Sequence, residues 1–405
     1  MSADRTATQR VGSANDNRSA SADQPENDLD IFRSELFGHV APEDLARYQP
    51  GELNELAATA FAFVTERRTA GPKIRIFQPD PAKGAAFKNV SVIEILNDDM
   101  PFLVDSVMAE LNERRLQVKL VAHPMLEVTR DENNDFVGIG AASDVLTSRR
   151  ESFIHVHVEL LSDDKRIEDT IAALQDVLGT VRAAVEDWKP MLSRIGAMIV
   201  ELKTNPPPIP VDEIAEAIQF LEWLVGNNFT VLGVRDYALT GEGGDYEPPG
   251  TGGLGILRRP DEHILRRGTE LVAITPEIME FLREPKVLFV AKANVRSKVH
   301  RRVYMDYVGV KRFSPDGELI GEFRIVGLFT STAYTRQART IPYLRKKVDR
   351  VVRRAGFAPE GHDGKALVNV LETYPRDELF QIEDDQLYEF AQAIRFLEDL
   401  SLIHI

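Results

Sequence analysis

The residues best placed to do chemistry in this sequence sit in one short loop. Asn97, Asp98, Asp99 and Met100 run directly into Pro101 and Phe102 within EILNDDMPFLVDSVMAELNERRLQVKLVAHPMLEV, residues 94–128. Proline suits the first position of a helix, where a missing N–H costs nothing. The free N–H groups and partial positive charge of a helix start hold anions, such as the carboxylate of an amino acid. Residues 97–102 are therefore a candidate effector loop. A second reading weighs more on the residues alone. Asp98 and Asp99 themselves satisfy those donors and the helix dipole, and two carboxylates repel an incoming anion.

Four further clusters invite a chemical reading. YLRKKVDRVVRR, residues 343–354, carries Leu344, Val348, Val351 and Ala355 at helical spacing as a buried stripe. Arg345, Lys346, Arg350, Arg353 and Arg354 fall mostly outside it. They form either a docking surface for an acidic partner, such as another domain of the same protein, or an ordinary solvated face. His155 and His157 are two apart on a strand and share a face. With no third ligand placed by the sequence, a solvent-facing or subunit-facing pair is expected rather than a metal site. GTGGLGILRR, residues 250–259, matches neither GxGxxG nor GxxxxGK[ST], so it reads as a connector ending in the strand GLGILR. Ser297, His300 and Asp306 read as one strand, with Ser297 and His300 on opposite faces, which rules out a triad.

The elements that position these residues follow from periodicity. A polar tail, 1–29, precedes helices beginning with IFRSELF and at Gly51–Arg68, and GPKIRIFQPDPAKG reads as a loop. Val90, Val92 and Leu96 alternate with Ser91, Ile93 and Ile95, so that strand is apolar on both faces and central. Val104, Val107, Met108 and Leu111 make the buried stripe of the next helix, with Asp105, Asn112 and Glu113 facing elsewhere. A strand from about Gln117 to Thr129, a strand at 152–161, and a long helix through Ile167, Ile171, Leu174, Leu178, Val181 and Val185 follow. This order, with helices on one face of a mostly antiparallel sheet, is the split βαβ plan. A second strand–proline turn–helix–strand pattern spans GAMIVELK (196–203), NPPPIP, VDEIAEAIQFLEWLVG and FTVLGVRDYAL. PEIMEFLRE reads as a helix and VLFVAKA as a strand. VYMDYVGVKRF–SPDG–ELIGEFRIVGLF reads as a long hairpin. The last part is helical, and Leu387, Phe390, Ala391, Ile394 and Leu397 form the stripe of the final helix.

Bulk properties narrow the class. The 405 residues suffice for two or three domains. A net charge of −15 argues against broad nucleic-acid binding. With no cysteine, disulfides and cysteine-ligated metals are excluded. No apolar run is long enough to span a bilayer, and the first residues lack the apolar core of a secretory signal. A cytoplasmic location without a membrane or nucleic-acid partner is expected.

Five segments in order resemble one family: NDDMPFLVDSVMAELNERRLQVKLVAHPML, VHRRVYMDYVGVKRF, GLFTSTAY, IPYLRKKV and ETYPRDELFQ. They resemble the N-terminal portion of the large bacterial NAD-specific glutamate dehydrogenases, from about residue 30 to 398. The resemblance implies NAD-dependent oxidative deamination of L-glutamate to 2-oxoglutarate and ammonia by the full-length enzyme. It implies ACT-like regulatory modules here and a catalytic domain further on. NAD is then the cofactor of the full-length enzyme, and this fragment is expected to bind none and to be inactive alone. The remaining domains, an amino-acid effector and further copies in a homo-oligomer are the partners it implies. The loop also resembles the ACT pattern through Asp99, Pro101, Phe102 and Leu103, with Phe102 where the pattern has glycine. That departure favours packing or subunit pairing over ligand binding. The expected class is α+β. An ACT-like, ferredoxin-like βαββαβ module with N-terminal helices spans 30–190. A second α+β region with the long hairpin covers 191–335, and a helical segment covers 336–400. SLIHI, 401–405, reads as a non-native end. A stand-alone amino-acid-sensing or oligomerisation module is the alternative.

Overall fold

A computed structural model describes residues 24–66, 71–140, 148–240, 245–247, 252–258, 266–267, 270–271 and 286–403. The chain divides into two compact units. The first comprises Met1–Met100 with Leu111–Gln175, and the second Pro101–Glu110 with Asp176–Ile405.

The first unit opens with helices α1 (Gln24–Gly38), α2 (Pro42–Leu45) and α3 (Pro50–Thr65). Helix α1 thus begins six residues ahead of the expected start of order at Asp30. Pro50 occupies the first turn of α3, and the Gln49 N–H donates to Glu52 Oε2 at 2.7 Å, a reciprocal cap that sets the start of that helix. Strands β1 (Lys73–Phe77) and β2 (Val90–Asp98) follow, then α4 (Leu103–Glu113), β3 (Val118–Ala122), β4 (Met125–Arg130), β5 (Phe136–Ile139), β6 (Ser148–Glu159) and α5 (Asp164–Glu186). Helices α4 and α5 each run across the division between the units. The sheet order is β1-β2-β6-β4-β5, with β3 also beside β6, and every pairing is antiparallel. Strand β2 is buried from Val90 to Asn97 and lies between two neighbours, as its two-faced apolar pattern predicts.

Three expectations about this unit, and one about the next, need correction. The strand from Gln117 to Thr129 is two strands, because Pro124 has no N–H to donate; β3 and β4 continue along β6 on either side of it. The segment read as the loop GPKIRIFQPDPAKG contains β1, which pairs with β2 from Lys73↔Leu96 to Phe77↔Val92. It occupies the sheet edge that a fourth ferredoxin-like strand takes. Residues 196–203, which read as a strand, belong instead to a helix described below. Finally, helices α1 and α3 cover a sheet face themselves: Phe32, Leu36, Leu56, Ala60 and Phe63 pack with Val92, Leu96, Leu120 and Phe153. Ile93, Ile95, Ile154 and Val156 on the opposite face are also buried, although Met125 and Glu127 of β4 on that face are exposed.

The second unit contains α6 (Trp188–Thr204), α7 (Val211–Trp223), β7 (Phe229–Thr240), β8 (Asp245–Glu247), β9 (Leu254–Gly255), β10 (Arg266–Arg267) and β11 (Glu270–Leu271). Helix α6 is explained by Met191, Ile195, Met198, Ile199 and Leu202, which recur at 3.6-residue spacing and are all buried. The pattern of eight residues at 196–203 hides this longer period. Strands β12 (Leu288–Arg296), β13 (Tyr304–Phe313) and β14 (Leu319–Phe329) complete a sheet of order β12-β13-β14-β7-β8, with β9 beside β7. The hairpin turn between β13 and β14 closes through Ser314 N–H to Glu318 O at 2.8 Å. Gly317 takes the left-handed φ of +85° there. The expected helix PEIMEFLRE lies outside the described residues.

Helices α8 (Ser331–Thr335), α9 (Leu344–Ala355), α10 (His362–Thr373), α11 (Arg376–Gln381) and α12 (Asp384–Ile403) end the unit. Val231, Val234, Val308, Phe323 and Ile325 of the sheet join Phe220, Leu344, Val348, Leu367, Phe380 and Leu387 in one core. The expected stripe of α12 is only partly buried: Leu387 and Ala391 are inside, whereas Phe390, Ile394 and Leu397 are exposed. Of the expected non-native end, Ser401–Ile403 continue α12, and 404–405 lie outside the described residues.

Candidate functional site

The structure opens the helix after the 97–102 loop two residues later than the sequence suggests. Helix α4 starts at Leu103, and Pro101 and Phe102 form a turn ahead of it. Phe102 sits at φ +72°, in the left-handed region where the ACT pattern has glycine. Its carbonyl accepts the Ser106 N–H at 3.1 Å, and its ring lies 5.3 Å from that of His300. His300 Nδ1 in turn meets Asp105 Oδ2 at 2.8 Å, and its N–H donates to Ser106 Oγ at 2.9 Å. Arg302 pairs with Glu110 on the same helix. The buried residues of α4 are Leu103, Ser106, Val107, Glu110 and Leu111; Val104 and Met108 are half-buried.

In the first unit, Asn97 is buried and its Nδ2 donates to the Asp98 carbonyl at 3.1 Å. The Asp99 N–H donates to the Arg150 carbonyl at 3.0 Å, and its carboxylate lies 3.6 Å from Arg150 Nε. Asp98, Asp99 and Met100 are half-buried. Asp99 is thus engaged with β6.

The basic helix is α9, and the acids of its own unit meet most of its cations. Arg345 binds Glu216 through two bonds, Nε–Oε1 at 2.8 Å and Nη2–Oε2 at 2.7 Å. Lys346 reaches Asp212 and Glu213, both at 2.6 Å. Arg350 pairs with Asp384 at 2.8 Å and Arg354 with Asp385 at 2.5 Å, while Arg353 Nε donates to the Asp349 carbonyl of its own helix. The sequence reading missed Lys347, which joins Leu344, Val348 and Val351 in the buried stripe. Its spacing, three after Leu344 and four before Val351, was the available signal. Lys347 Nζ donates to the carbonyls of Leu379, Phe380 and Ile382 at the end of α11, and burial lowers its pKa to about 8.

These residues border a cavity of about 500 Å³ between α7, α9, the start of β12 and the start of α12. Glu213, Glu216, Glu383 and Asp384 line it, with Lys286, Lys346, Lys347 and Arg350. Lys286 Nζ reaches Glu383 at 3.4 Å. Lys346 with Glu213, Arg350 with Asp384 and Lys286 with Glu383 balance these charges within the wall. The Lys347 amine is directed at three carbonyls, which suits holding and positioning rather than nucleophilic attack.

The other candidates resolve individually. In the glycine-rich stretch, Asp187 Oδ2 accepts the Gly255 N–H at 2.7 Å, and the same carboxylate pairs with Arg258, which lowers its pKa. The anion at this turn is the chain's own. Gly255 sits at φ +64°, and a Cβ there would meet the Leu232 carbonyl oxygen at 2.1 Å. The GLGILR strand covers only Leu254–Gly255 before a short helical turn. Ser297 and His300 lie in the link between β12 and β13, not in one strand with Asp306. Ser297 bonds Val299, and Asp306 bonds Lys292 and the Phe329 N–H. Among the described residues no group of three or more His, Asp or Glu is arranged to hold a metal ion, and no helix is long and apolar enough to cross a membrane.

A model of "Glutamate dehydrogenase, ACT1 domain" matches residues 32–174, and one of "Glutamate dehydrogenase, helical motif 1" matches 341–399. An NAD-specific glutamate dehydrogenase of Halomonas elongata is 33% identical over 91% of this chain, and one of Pseudomonas aeruginosa 31% over 93%. The chain belongs to the NAD-specific glutamate dehydrogenase family. It spans 23% of the length of each of these two relatives, and 19% of a Mycobacterium tuberculosis enzyme of the same description to which it is 24% identical.

The ACT1 match runs from α1 into α5 and includes the N-terminal helices. Beneath those helices lies the histidine pair, and here the expectation of a solvent-facing or subunit-facing pair is overturned. His155 and His157 are completely buried, because α1–α3 cover the face on which they stand. Tyr48 Oη meets His157 Nδ1 at 2.6 Å, His157 Nε2 meets His155 Nε2 at 2.8 Å, and His155 Nδ1 meets Glu94 Oε1 at 3.0 Å. Arg75 Nε donates to Glu94 Oε2 at 2.6 Å. Neutral imidazoles satisfy every member if Tyr48 donates first and His155 donates last, to the carboxylate. Burial holds the His157 pKa well below the usual histidine value, in keeping with that assignment.

Proposed function

We propose that this chain is the N-terminal regulatory and assembly region of an NAD-dependent glutamate dehydrogenase. The full-length enzyme converts L-glutamate and NAD to 2-oxoglutarate, ammonia and NADH, with both substrates bound by the polypeptide outside this region. The observation that carries the reading is the match to glutamate dehydrogenase ACT1 and helical-motif segments over a chain that spans 23% of its relatives' length. The interior supports it: buried ionisable groups such as His155, His157 and Lys347 are committed to internal partners. In this reading the 97–102 loop serves packing, since Phe102 fills the position at which a glycine admits a ligand. The test is NADH formation, followed by absorbance, with L-glutamate and NAD. We expect none from the 405-residue chain and steady turnover from the full-length polypeptide carrying it. Turnover by the shorter chain ends the proposal.

A second reading, a stand-alone amino-acid sensor, is favoured by the mixed-charge cavity beside α9. Calorimetric titration of the 405-residue chain with L-amino acids separates the two. Saturable heat at micromolar concentration, without any longer gene product, would favour the sensor.

A further inference from the structure

Helix α12 carries more apolar surface than its own unit covers. At 100° per residue, Leu387 and Ala391 point to one side and Phe390, Ala393, Ile394 and Leu397 to the side adjoining it. The first pair is 0% exposed, in the core with Val348 and Leu367. The second group is open: Phe390 is 50% exposed, Ile394 37% and Leu397 64%. A helix finished by one core has polar residues there. Phe396 is also exposed but points to the opposite side, as isolated surface apolar residues commonly do.

Resting on the reading of this chain as part of a longer enzyme, we propose that this stripe is a packing face. Its occupant is an apolar helix face from the portion of the same polypeptide outside this chain. Three observations select that occupant. The stripe lies within residues 341–399, matched by the family's helical motif, so it belongs to the family's own segment. The relatives are more than four times longer than the stretch matched, so they hold ample further chain to supply one. The area is the third. Phe390, Ile394 and Leu397 together expose ~300 Å², the size at which a surface patch is often functional. A stable association of separate chains needs about 800 Å² from each partner. A second copy therefore gains too little from this stripe. A tethered segment meets it at high effective concentration and does not lose the freedom of a separate molecule.

The absence of cysteine provides the test. Leu397→Cys is placed in the 405-residue chain and in the full-length polypeptide, and alkylation of that thiol is timed by peptide mass spectrometry. Ile394→Cys is run in parallel in case the first variant misfolds. We expect labelling at least ten-fold slower in the full-length polypeptide. Equal rates in the two would overturn the inference. Protection already present in the 405-residue chain, together with dimers in sedimentation, would also overturn it and make a second copy the occupant. Full-length polypeptide that turns over glutamate yet labels fast defeats this inference alone. Full-length polypeptide without turnover defeats the functional reading instead.

Discussion

Two turns of the second unit use the same proline–aromatic–leucine pattern for different ends. Pro101-Phe102-Leu103 leads into α4 and Pro342-Tyr343-Leu344 into α9, and both aromatic residues stand at φ +72°. A left-handed conformation costs an L-residue ~1 kcal/mol or more, so it persists only where the surroundings enforce it. At Tyr343 the enforcement is a carboxylate. Its N–H donates to Glu216 Oε1 at 2.7 Å, Glu216 is held by Arg345, and the ring packs 5.5 Å from Phe220 and 5.4 Å from Lys347 Nζ. At Phe102 the enforcement is the ring's contact with a partly exposed His300, itself at φ +67°. The same local device is therefore part of the core in one place and a surface adjustment in the other.

That contrast can be broken in four ways, all read by urea unfolding. Trp188 and Trp223 both lie in the second unit, and Trp223 packs with Phe220 and Phe329, so tryptophan fluorescence follows it. Glu216→Ala strips the acceptor from Tyr343 and Arg345 and lowers stability by about 3 kcal/mol. A loss below half that would mean the carboxylate does not enforce the turn. Tyr343→Gly relieves the backbone but loses the ring, for a net loss of about 2 kcal/mol; unchanged stability would erase the distinction from Phe102.

The third concerns pH. Lys347 titrates near 8 in the folded chain against an ordinary 10.5. Between these values the unfolded chain binds a proton that the folded chain does not, so this group makes stability rise with pH across that window. Relative to Lys347→Met, the parent protein should gain about 1 kcal/mol between pH 8 and 9; parallel curves would show that the amine is not desolvated. Phe102→Gly has the smallest effect, under about 1 kcal/mol, because strain relief offsets a contact already half in water. A loss as large as that of Tyr343→Gly would make the two turns equivalent.

Much of the architecture was legible where the pattern is long and local. The central strand at 90–98, the hairpin closed at Pro315-Asp316-Gly317, and helices α7, α9 and α10 all follow from periodicity over nine or more residues. Legibility failed where a short window misled. Eight residues at 196–203 look like a strand until Met191 and Ile195 reveal the helical period. KIRIF sits between prolines and glycines that made β1 resemble a loop. In the candidate sites, the partners of the named residues were not visible in the sequence. Nothing near Arg345 in sequence points to Glu216, 129 residues away.

By itself the sequence determined the long helices and strands, the absence of thiol chemistry, and the signature of the family, because each rests on residue type and short-range spacing. Only the tertiary structure decided that β1 takes the edge beside β2, that the histidine pair is sealed under α1–α3, and that the cations of α9 meet acids of α7 and α12. Burial and charge pairing depend on which distant element comes to rest on a face. A solvated face and a covered one can be written in the same residues.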